Sequence, residues 1–291
     1  MKMKFTKMHG IGNDYVYVNC FENQIERPEA VSRFVSDRRK GIGSDGLILI
    51  EPSDIADCRM RIFNADGSEG NMCGNGIRCV AKYVYERDLV RKELLRVETK
   101  SGIKEIVLRV RSNKVEEVTV DMGIADLRPA AVPVLDELQE EIYRNRPIEI
   151  GETSYSITCV SMGNPHAVTF LNSIQELELE DIGPKFEYDS RFPERVNTEF
   201  VKVIDDHTIS MRVWERGSGE TMACGTGACA SVVASVLNGY CRKEEEITVH
   251  LSGGDLKITY LEDGRVIMRG TATHVFDGVI DITEEDLKYA G

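Results

Sequence analysis

Short segments in which apolar and polar residues alternate recur along most of the chain, and this alternation predicts β-strands. Two of them, Cys58–Phe63 and Ser210–Trp214, share the order methionine, arginine, branched aliphatic residue, aromatic residue. Further segments of strand character are Tyr15–Val18, Leu47–Ile50, Ile106–Val110, Val115–Val120, Ile247–Leu251 and Val266–Arg269. The chain is therefore predicted to be rich in β-structure.

The period changes to a helical one at two places, each of which follows a short glycine-rich loop. Ile77, Val80, Ala81 and Val84 are spaced at i, i+3, i+4 and i+7, so they form one face of a helix. The segment Ala228–Leu237 is small or apolar almost all round, which predicts a helix buried on every side.

These features recur at one constant spacing. Cys73-Gly74-Asn75-Gly76 and Cys224-Gly225-Thr226-Gly227 begin 151 residues apart, and the same offset relates Met60 to Met211. Gly12-Asn13 and Gly163-Asn164 also differ by 151. Three landmarks in one register favour an internal duplication over chance similarity between glycine-rich loops.

The predicted fold is α/β of the α+β type: two pseudo-symmetric β-rich domains, each wrapped around a central helix. We expect the seam near the proline-bearing segment Gly123–Pro133. The predicted halves are residues 1–125, which contain Cys73, and 126–276, which contain Cys224. Residues 277–291 are expected to form a tail that packs back on the first half.

Length, composition and charge narrow the class of protein. The chain has 291 residues, 42% of them apolar and 29% charged, as in soluble globular proteins. A net charge of −13 disfavours nucleic acid as a partner, because phosphate binding requires clustered lysine and arginine. No apolar run is as long as a membrane span, and the first ten residues do not resemble a signal peptide. A cytoplasmic location without membrane attachment is expected.

Eight cysteines in a reducing compartment are expected to remain thiols, and the absence of a CxxC pair disfavours zinc. Cys73 and Cys224 are each predicted to lie at a helix N-terminus, where the helix dipole lowers the pKa of a thiol. If both reach one pocket, a thiolate and a thiol can remove and deliver a proton on opposite faces of a carbon centre. Buried packing residues in tight turns, or a redox pair, are the alternatives for these cysteines.

One motif is rejected. Gly41-Ile42-Gly43-Ser44-Asp45-Gly46 matches the GxGxxG pattern of dinucleotide sites, which is informative only where it opens a helix. Here Leu47–Ile50 continues as a predicted strand, so the segment is interpreted as a glycine-rich turn.

At the level of whole motifs the chain resembles the diaminopimelate epimerase family. The resemblance rests on segments that follow one another in family order from residue 9 to residue 229. They are His9–Asp14, Asn64–Glu69, Met72–Cys79, Gly163–His166, Val196–Glu199, Trp214–Gly217 and Ala223–Ala228.

The resemblance implies interconversion of LL- and meso-diaminopimelate, without pyridoxal phosphate or metal, for lysine and peptidoglycan precursor synthesis by a homodimer. By position it implies an acid/base pair, Cys73 and Cys224, with His166 and Glu215 beside the reacting centre. The implied substrate-binding residues are Asn13, Asn64, Gly74, Asn75, Asn164, Asn197, Glu215, Arg216, Gly225 and Thr226.

Two points stay open at this stage. Some family members have a glutamine where this chain has Gly46, which concerns one wall of the implied pocket. The alternatives for the function are another amino-acid racemase of the same fold, acting on proline, hydroxyproline or histidine, and a non-catalytic thiol redox-sensing protein. They differ from the first hypothesis in whether a second, distal amino-acid head group is bound and in whether an α-proton is exchanged.

Overall fold

In the computed structural model, which describes residues 1–22, 24–135 and 140–289, the chain divides into two compact units. The first unit comprises Met1–Val120 with Gly270–Gly291, and the second unit comprises Asp121–Arg269. None of the helices in the described ranges is long and apolar enough to cross a membrane.

From the first strand of unit one and from the second strand of unit two, the elements follow one another in the same order: two strands, a helix, three strands, a helix and three strands. Those up to the division, which falls within β8, are β1 (Lys2–Gly10), β2 (Asn13–Asn19), α1 (Pro28–Ser36), β3 (Gly46–Glu51), β4 (Cys58–Asn64), β5 (Glu69–Gly70), α2 (Gly74–Glu86), β6 (Leu94–Thr99), β7 (Gly102–Arg111) and β8 (Lys114–Ile124). Those of the second unit are β9 (Arg146–Ile150), β10 (Thr153–Ser161), β11 (Pro165–Phe170), α3 (Leu179–Glu187), β12 (Asn197–Asp205), β13 (Thr208–Glu215), β14 (Gly219–Thr221), α4 (Gly225–Leu237), β15 (Glu246–Leu251), β16 (Gly254–Tyr260) and β17 (Arg265–Gly270). The last elements are β18 (Thr273–Asp281) and α5 (Glu284–Tyr289).

The eight predicted strands are confirmed. Residues 41–45 form bends and loop that lead into β3 and not into a helix, as predicted for a glycine-rich turn. The two predicted helices are confirmed as α2 and α4, which are 13 residues long and begin at residues 74 and 225, an offset of 151. The starts of α1 and α3, at residues 28 and 179, have the same offset.

The strand register is duplicated as well. β2 and β3 run parallel with Tyr17 opposite Ile48, and β11 and β12 run parallel with Val168 opposite Glu199. Each parallel pair is joined by a crossover that contains a helix, α1 or α3, which is the usual connection between parallel strands. Positions related by the constant offset therefore have the same neighbours in the two units, and each unit can serve as an internal comparison for the other.

Each unit buries one helix against its own strands. In α2 the apolar face is completely buried, and α4 is buried almost all round because its side chains are alanine, serine, cysteine and valine. α4 contacts β10, β11, β12, β13, β15 and β16. Small residues allow this close approach, because a helix surrounded by strands has no face left for long polar side chains.

The C-terminal segment lies within the first unit. β18 pairs antiparallel with β1, so that Lys2 is opposite Asp281 and Phe5 is opposite Gly278. α5 contacts α1, and the N-terminus hydrogen bonds to the Ile282 carbonyl oxygen.

The helix starts impose tight packing. A Cβ atom at Gly76 would lie 2.6 Å from Ile48 Cδ1, and a Cβ atom at Gly227 would lie 2.6 Å from Glu199 Oε1. Both distances are shorter than any real carbon contact, so the third residue of each helix has to be glycine for the helix to approach the neighbouring strand.

We expect the Gly76→Ala substitution to lower the thermal unfolding midpoint, although alanine favours helices. The reason is overpacking against Ile48, which costs about 1–3 kcal/mol of the free energy of unfolding. Adding Ile48→Val removes the clashing methyl group, so the double variant should recover part of the loss. If the double variant instead lost as much stability as the two single variants together, the predicted clash between residues 76 and 48 would be contradicted.

Candidate active site

Each of the two loop cysteines is the N-cap residue of a buried helix. Cys73 and Cys224 have extended backbone angles, φ −132° and −116°, directly before α2 and α4. The Cys73 sulfur accepts a hydrogen bond from the Gly76 amide at 3.3 Å, and the Cys224 sulfur accepts one from the Gly227 amide at 3.4 Å. Unpaired amides at a helix start favour negative charge, so both positions can stabilise a thiolate or a bound carboxylate.

Amide side chains surround the Cys73 sulfur. The Cys73 thiol donates to Asn13 Oδ1 at 3.4 Å, and Asn75 Nδ2 donates to the same oxygen at 3.2 Å. Asn13 Nδ2 in turn donates to Asp45 Oδ2 at 2.7 Å. Burial, followed by the neighbouring Asp14, raises the pKa of Asp45. The side chain of Asn13 is thus held from both ends and points its oxygen at the cysteine.

A completely buried arginine supports this loop from behind. Arg78 Nη1 donates to the Gly74 carbonyl at 3.0 Å, and Arg78 Nη2 donates to Asn75 Oδ1 at 2.9 Å. Arg78 Nε donates to the Thr271 carbonyl at 3.1 Å. The guanidinium therefore ties the first turn of α2 to the segment before β18 and places a positive charge close to the Cys73 loop.

Acidic groups surround Cys224. Burial raises the pKa of the Cys224 thiol well above its ordinary value, and the nearby Glu215 and Glu199 carboxylates raise it further. Burial also raises the pKa of Glu215, whose carboxylate accepts hydrogen bonds from Thr221 and Cys224. In the free protein the thiol form of Cys224 is the favoured one.

A buried histidine lies within the same cluster. His166 is fully buried, with Nδ1 2.7 Å from Glu199 Oε1 and Nε2 3.0 Å from Asn164 Oδ1. Asn164 Nδ2 donates to Thr226 Oγ1 at 3.2 Å, and that hydroxyl lies 3.5 Å from the Cys224 sulfur. The second loop thus combines a thiol, two carboxylates and an imidazole, a set of groups suited to moving protons.

The sequence model of the family described as diaminopimelate epimerase matches residues 5–127 and 158–275. The chain belongs to the diaminopimelate epimerase family.

Individual relatives agree with this. The diaminopimelate epimerase of Acetivibrio thermocellus is 55% identical over 283 residues, which cover 97% of this chain and 100% of the relative. That of Methanococcus maripaludis is 54% identical over 281 residues, covering 96% of this chain and 100% of the relative. The predicted family and the predicted class of enzyme, an isomerase, are confirmed.

Solved structures agree on the fold. A Bacillus anthracis phenazine biosynthesis protein of the PhzF family superposes with a TM-score of 0.68 at 18% identity, covering 97% of this chain and 100% of that one. A hydroxyproline epimerase from Agrobacterium vitis superposes with a TM-score of 0.67 at 14% identity, covering 96% and 91%. The predicted fold class is therefore confirmed.

The residues that the family resemblance implies for the site fall into two clusters and three separate positions. The first unit brings Asn13, Gly74 and Asn75 to Cys73, and the second brings Asn164, His166, Glu215, Gly225 and Thr226 to Cys224. The separate positions are Asn64, Asn197 and Arg216, whose hydrogen bonds are local.

These local contacts are specific. Asn64 is exposed and donates to Ser68 Oγ at 2.9 Å within its own turn. Asn197 is buried, with its amide between the Pro165 carbonyl and the Arg216 backbone N–H. Arg216 is exposed, and its Nη1 donates to the Glu194 carbonyl at 2.9 Å. Asn197 therefore holds the backbone at Arg216 in place. The Arg216 side chain remains accessible to solvent.

At Gly46, where the resemblance implies a glutamine in some family members, this chain has no room for a side chain. A Cβ atom there would lie 2.1 Å from the Phe63 carbonyl oxygen and 2.9 Å from Tyr15 Cε1. No side chain fits at this position unless the backbone of β3 or β4 moves.

Sequence reasoning missed two residues of these clusters, Glu199 and Arg78. Each lies within a motif that resembles the family, but neither was assigned a role. Each adjoins apolar residues, Phe200-Val201 after Glu199 and Ile77 before Arg78, but this local pattern does not distinguish a buried charge from a solvent-facing one. Charged residues are almost never fully buried unless they are paired, so such positions are candidates for a functional role.

Proposed function

We propose that the chain interconverts LL- and meso-diaminopimelate in the supply of lysine and of peptidoglycan precursors. Membership of the family and identities of 55% and 54% to two enzymes of that name support this proposal. The observation that carries it is the pair of equivalent helices, each of which begins at a cysteine whose sulfur accepts a backbone hydrogen bond.

In the proposed mechanism Cys73 and Cys224 are the acid/base pair. One thiolate takes the proton from the α-carbon, and the electron pair left on that carbon takes a proton from the other thiol on the opposite face. The roles of the two sulfurs are then exchanged, so the reverse reaction uses the same groups. No pyridoxal phosphate or metal enters these steps.

The surroundings of the two cysteines favour one sulfur as the initial thiol and the other as the initial thiolate. Carboxylates surround Cys224, so it begins as the thiol, whereas Cys73 has amide partners and the Arg78 guanidinium behind its loop. The helix-start amides of Gly74, Asn75, Gly225 and Thr226 are proposed to hold the carboxylate at the inverting carbon. His166 and Glu215 act beside the reacting centre. The remaining contacts with the substrate are proposed to come from Asn13, Asn64, Asn164, Asn197 and Arg216.

The alternatives are less well supported. A racemase for proline, hydroxyproline or histidine draws only on fold likeness, at 18% and 14% identity for the two superposed structures. A redox-sensing protein would have no need of the carboxylates and the imidazole that accompany Cys224.

We also propose a cytoplasmic homodimer. A mechanism that uses two thiols needs a compartment that keeps them reduced. Val275, Phe276 and Val279 of β18 are about half exposed, at 50%, 45% and 54%, which gives the first unit an apolar surface for a second copy to cover.

Either single substitution, Cys73→Ala or Cys224→Ala, should abolish epimerisation of diaminopimelate while the circular dichroism spectrum stays that of the wild type. Each removes one of two groups that the reaction needs, and each removes only a small side chain. Cys79→Ala and Cys229→Ala are matched controls, because these cysteines lie inside the same helices and should affect stability more than rate. A cysteine variant of the first pair with wild-type activity would refute the assignment.

Arg216 yields a prediction about the substrate. Its exposed guanidinium can bind a carboxylate through two charge-assisted hydrogen bonds of about 1.5–3 kcal/mol each. If it holds the distal carboxylate of diaminopimelate, Arg216→Met should lower kcat/KM about a hundredfold or more, and lysine, which lacks that carboxylate, should be a very poor substrate.

The control for this prediction is Arg128→Met, which removes another exposed arginine of the second unit, one paired with Asp126. This variant should keep its activity. Equal kcat/KM values for lysine and diaminopimelate in the wild type would show that the distal carboxylate is not recognised.

A further inference from the structure

A second acidic residue, Glu199, is buried behind the Cys224 loop, and its role depends on the function proposed above. Glu199 lies on β12 and is fully buried, with Oε1 2.7 Å from His166 Nδ1. Its other oxygen, Oε2, has no hydrogen-bond partner among the residues that the structure describes. Burying a carboxylate in this way costs free energy of folding unless a charge or a hydrogen bond compensates it.

A chain of hydrogen bonds leads from Glu199 to the cysteine. It passes from Glu199 Oε1 to His166 Nδ1 at 2.7 Å and from His166 Nε2 to Asn164 Oδ1 at 3.0 Å. It continues from Asn164 Nδ2 to Thr226 Oγ1 at 3.2 Å and ends with the Thr226 hydroxyl 3.5 Å from the Cys224 sulfur. Every link is a side chain of the second unit.

The first unit shows that the fold does not need a carboxylate at this place. Under the constant offset between the units, the position equivalent to Glu199 is Ile48, in the same register between its neighbouring strands. Each side chain packs against the third residue of the following helix at the same distance, 2.6 Å from a Cβ built at Gly76 or Gly227. An aliphatic side chain fills the space in one unit, so packing does not explain a glutamate in the other.

The histidine differs between the units in the same way. The position equivalent to His166 is Tyr15, which is also buried and lies near the Cys73 loop. At these two equivalent positions the first unit has Tyr15 and Ile48, whereas the second has an imidazole and a carboxylate in contact. We relate this pair to Cys224, because its chain of hydrogen bonds ends at the Cys224 sulfur.

The donors and acceptors in the row of hydrogen bonds between Glu199 and Cys224 can be arranged in either of two directions. An amide side chain has an oxygen on one side and an NH2 group on the other, so turning Asn164 over reverses its donors and acceptors. In one direction the Cys224 thiol donates towards His166, whose Nδ1–H donates to Glu199. In the other direction the Thr226 hydroxyl donates to a Cys224 thiolate, Asn164 Nδ2 donates to Thr226 Oγ1, and His166 Nε2 donates to Asn164 Oδ1.

We propose that Glu199 is a positioning residue for Cys224: its carboxylate fixes the His166 ring, and the chain through Asn164 and Thr226 holds the Cys224 sulfur in both of its protonation states. The charged or titratable groups around this chain are His166 on β11, Glu199 on β12, Glu215 on β13 and Cys224 at the start of α4. Glu187 of α3 lies further along, bound to Trp214 and Gly217.

The test is the titration of Cys224 in the purified protein, measured as the thiolate absorbance of each variant minus that of its Cys224→Ser counterpart. Glu199→Gln keeps the size of the side chain and removes its charge. Because the Glu199 charge is one of the causes that raise the pKa of Cys224, the midpoint should move to lower pH, by about one unit. With diaminopimelate as substrate, kcat should fall about tenfold or more, since His166 is held less firmly.

Two further variants make the test specific. Glu187→Gln removes another buried carboxylate of the second unit and should leave the Cys224 midpoint unchanged. Glu199→Ile copies the first unit, so it is expected to fold even if Glu199→Gln does not, and it should lower kcat at least as much. Both substitutions at Glu199 should also change the NMR signals of the His166 ring nitrogens.

A Cys224 midpoint equal to that of the wild type in folded Glu199→Gln or Glu199→Ile protein would overturn the proposal, as would wild-type kcat. A lowered unfolding temperature without a shift of that midpoint would assign Glu199 a purely structural role and reject it too. If the wild type itself fails to epimerise diaminopimelate, the proposed function fails, while the titration still decides what Glu199 does to Cys224.

Discussion

The close approach of a cysteine-capped helix start to its neighbouring strand is the constraint on which the rest of this structure depends. Such a helix start favours negative charge, because the amides of its first turn have no intrahelical acceptor. To bring that first turn close to the neighbouring strand, the third helix residue has to be glycine, and Gly76 and Gly227 meet this requirement. The sequence Cys-Gly-x-Gly and the strands that wrap each helix follow from this one arrangement.

Duplication produced two such helix starts and left them in different electrostatic surroundings. Cys73 has neutral amide partners with a buried arginine behind its loop, whereas Cys224 lies with Glu199, Glu215 and His166. The strand registers of the two units are equal, so these differences reflect single side chains and not a change of fold. Two thiols in different surroundings suit the proposed reaction, which uses one acid and one base.

Much of this arrangement could be predicted from the sequence, because it depends on local patterns. Alternation located the strands, and helical spacing after two glycine-rich loops located α2 and α4. The buried charges could not be found in this way, since Glu199 in a strand and Arg78 in a helix look like solvent-facing residues until their neighbours are known. The pairing of β18 with β1 and the local bonding of Asn197 likewise depend on contacts between distant parts of the chain, which no local pattern encodes.

The most direct test of a two-base mechanism is epimerisation of LL-diaminopimelate in deuterated water, with the isomers separated at low conversion. Two thiols that exchange protons with the solvent should give meso product with one deuterium at the inverted carbon, while the remaining LL substrate stays unlabelled. Product that keeps the original hydrogen, or substrate that becomes labelled as fast as product forms, would mean that one group serves both faces and would contradict the account.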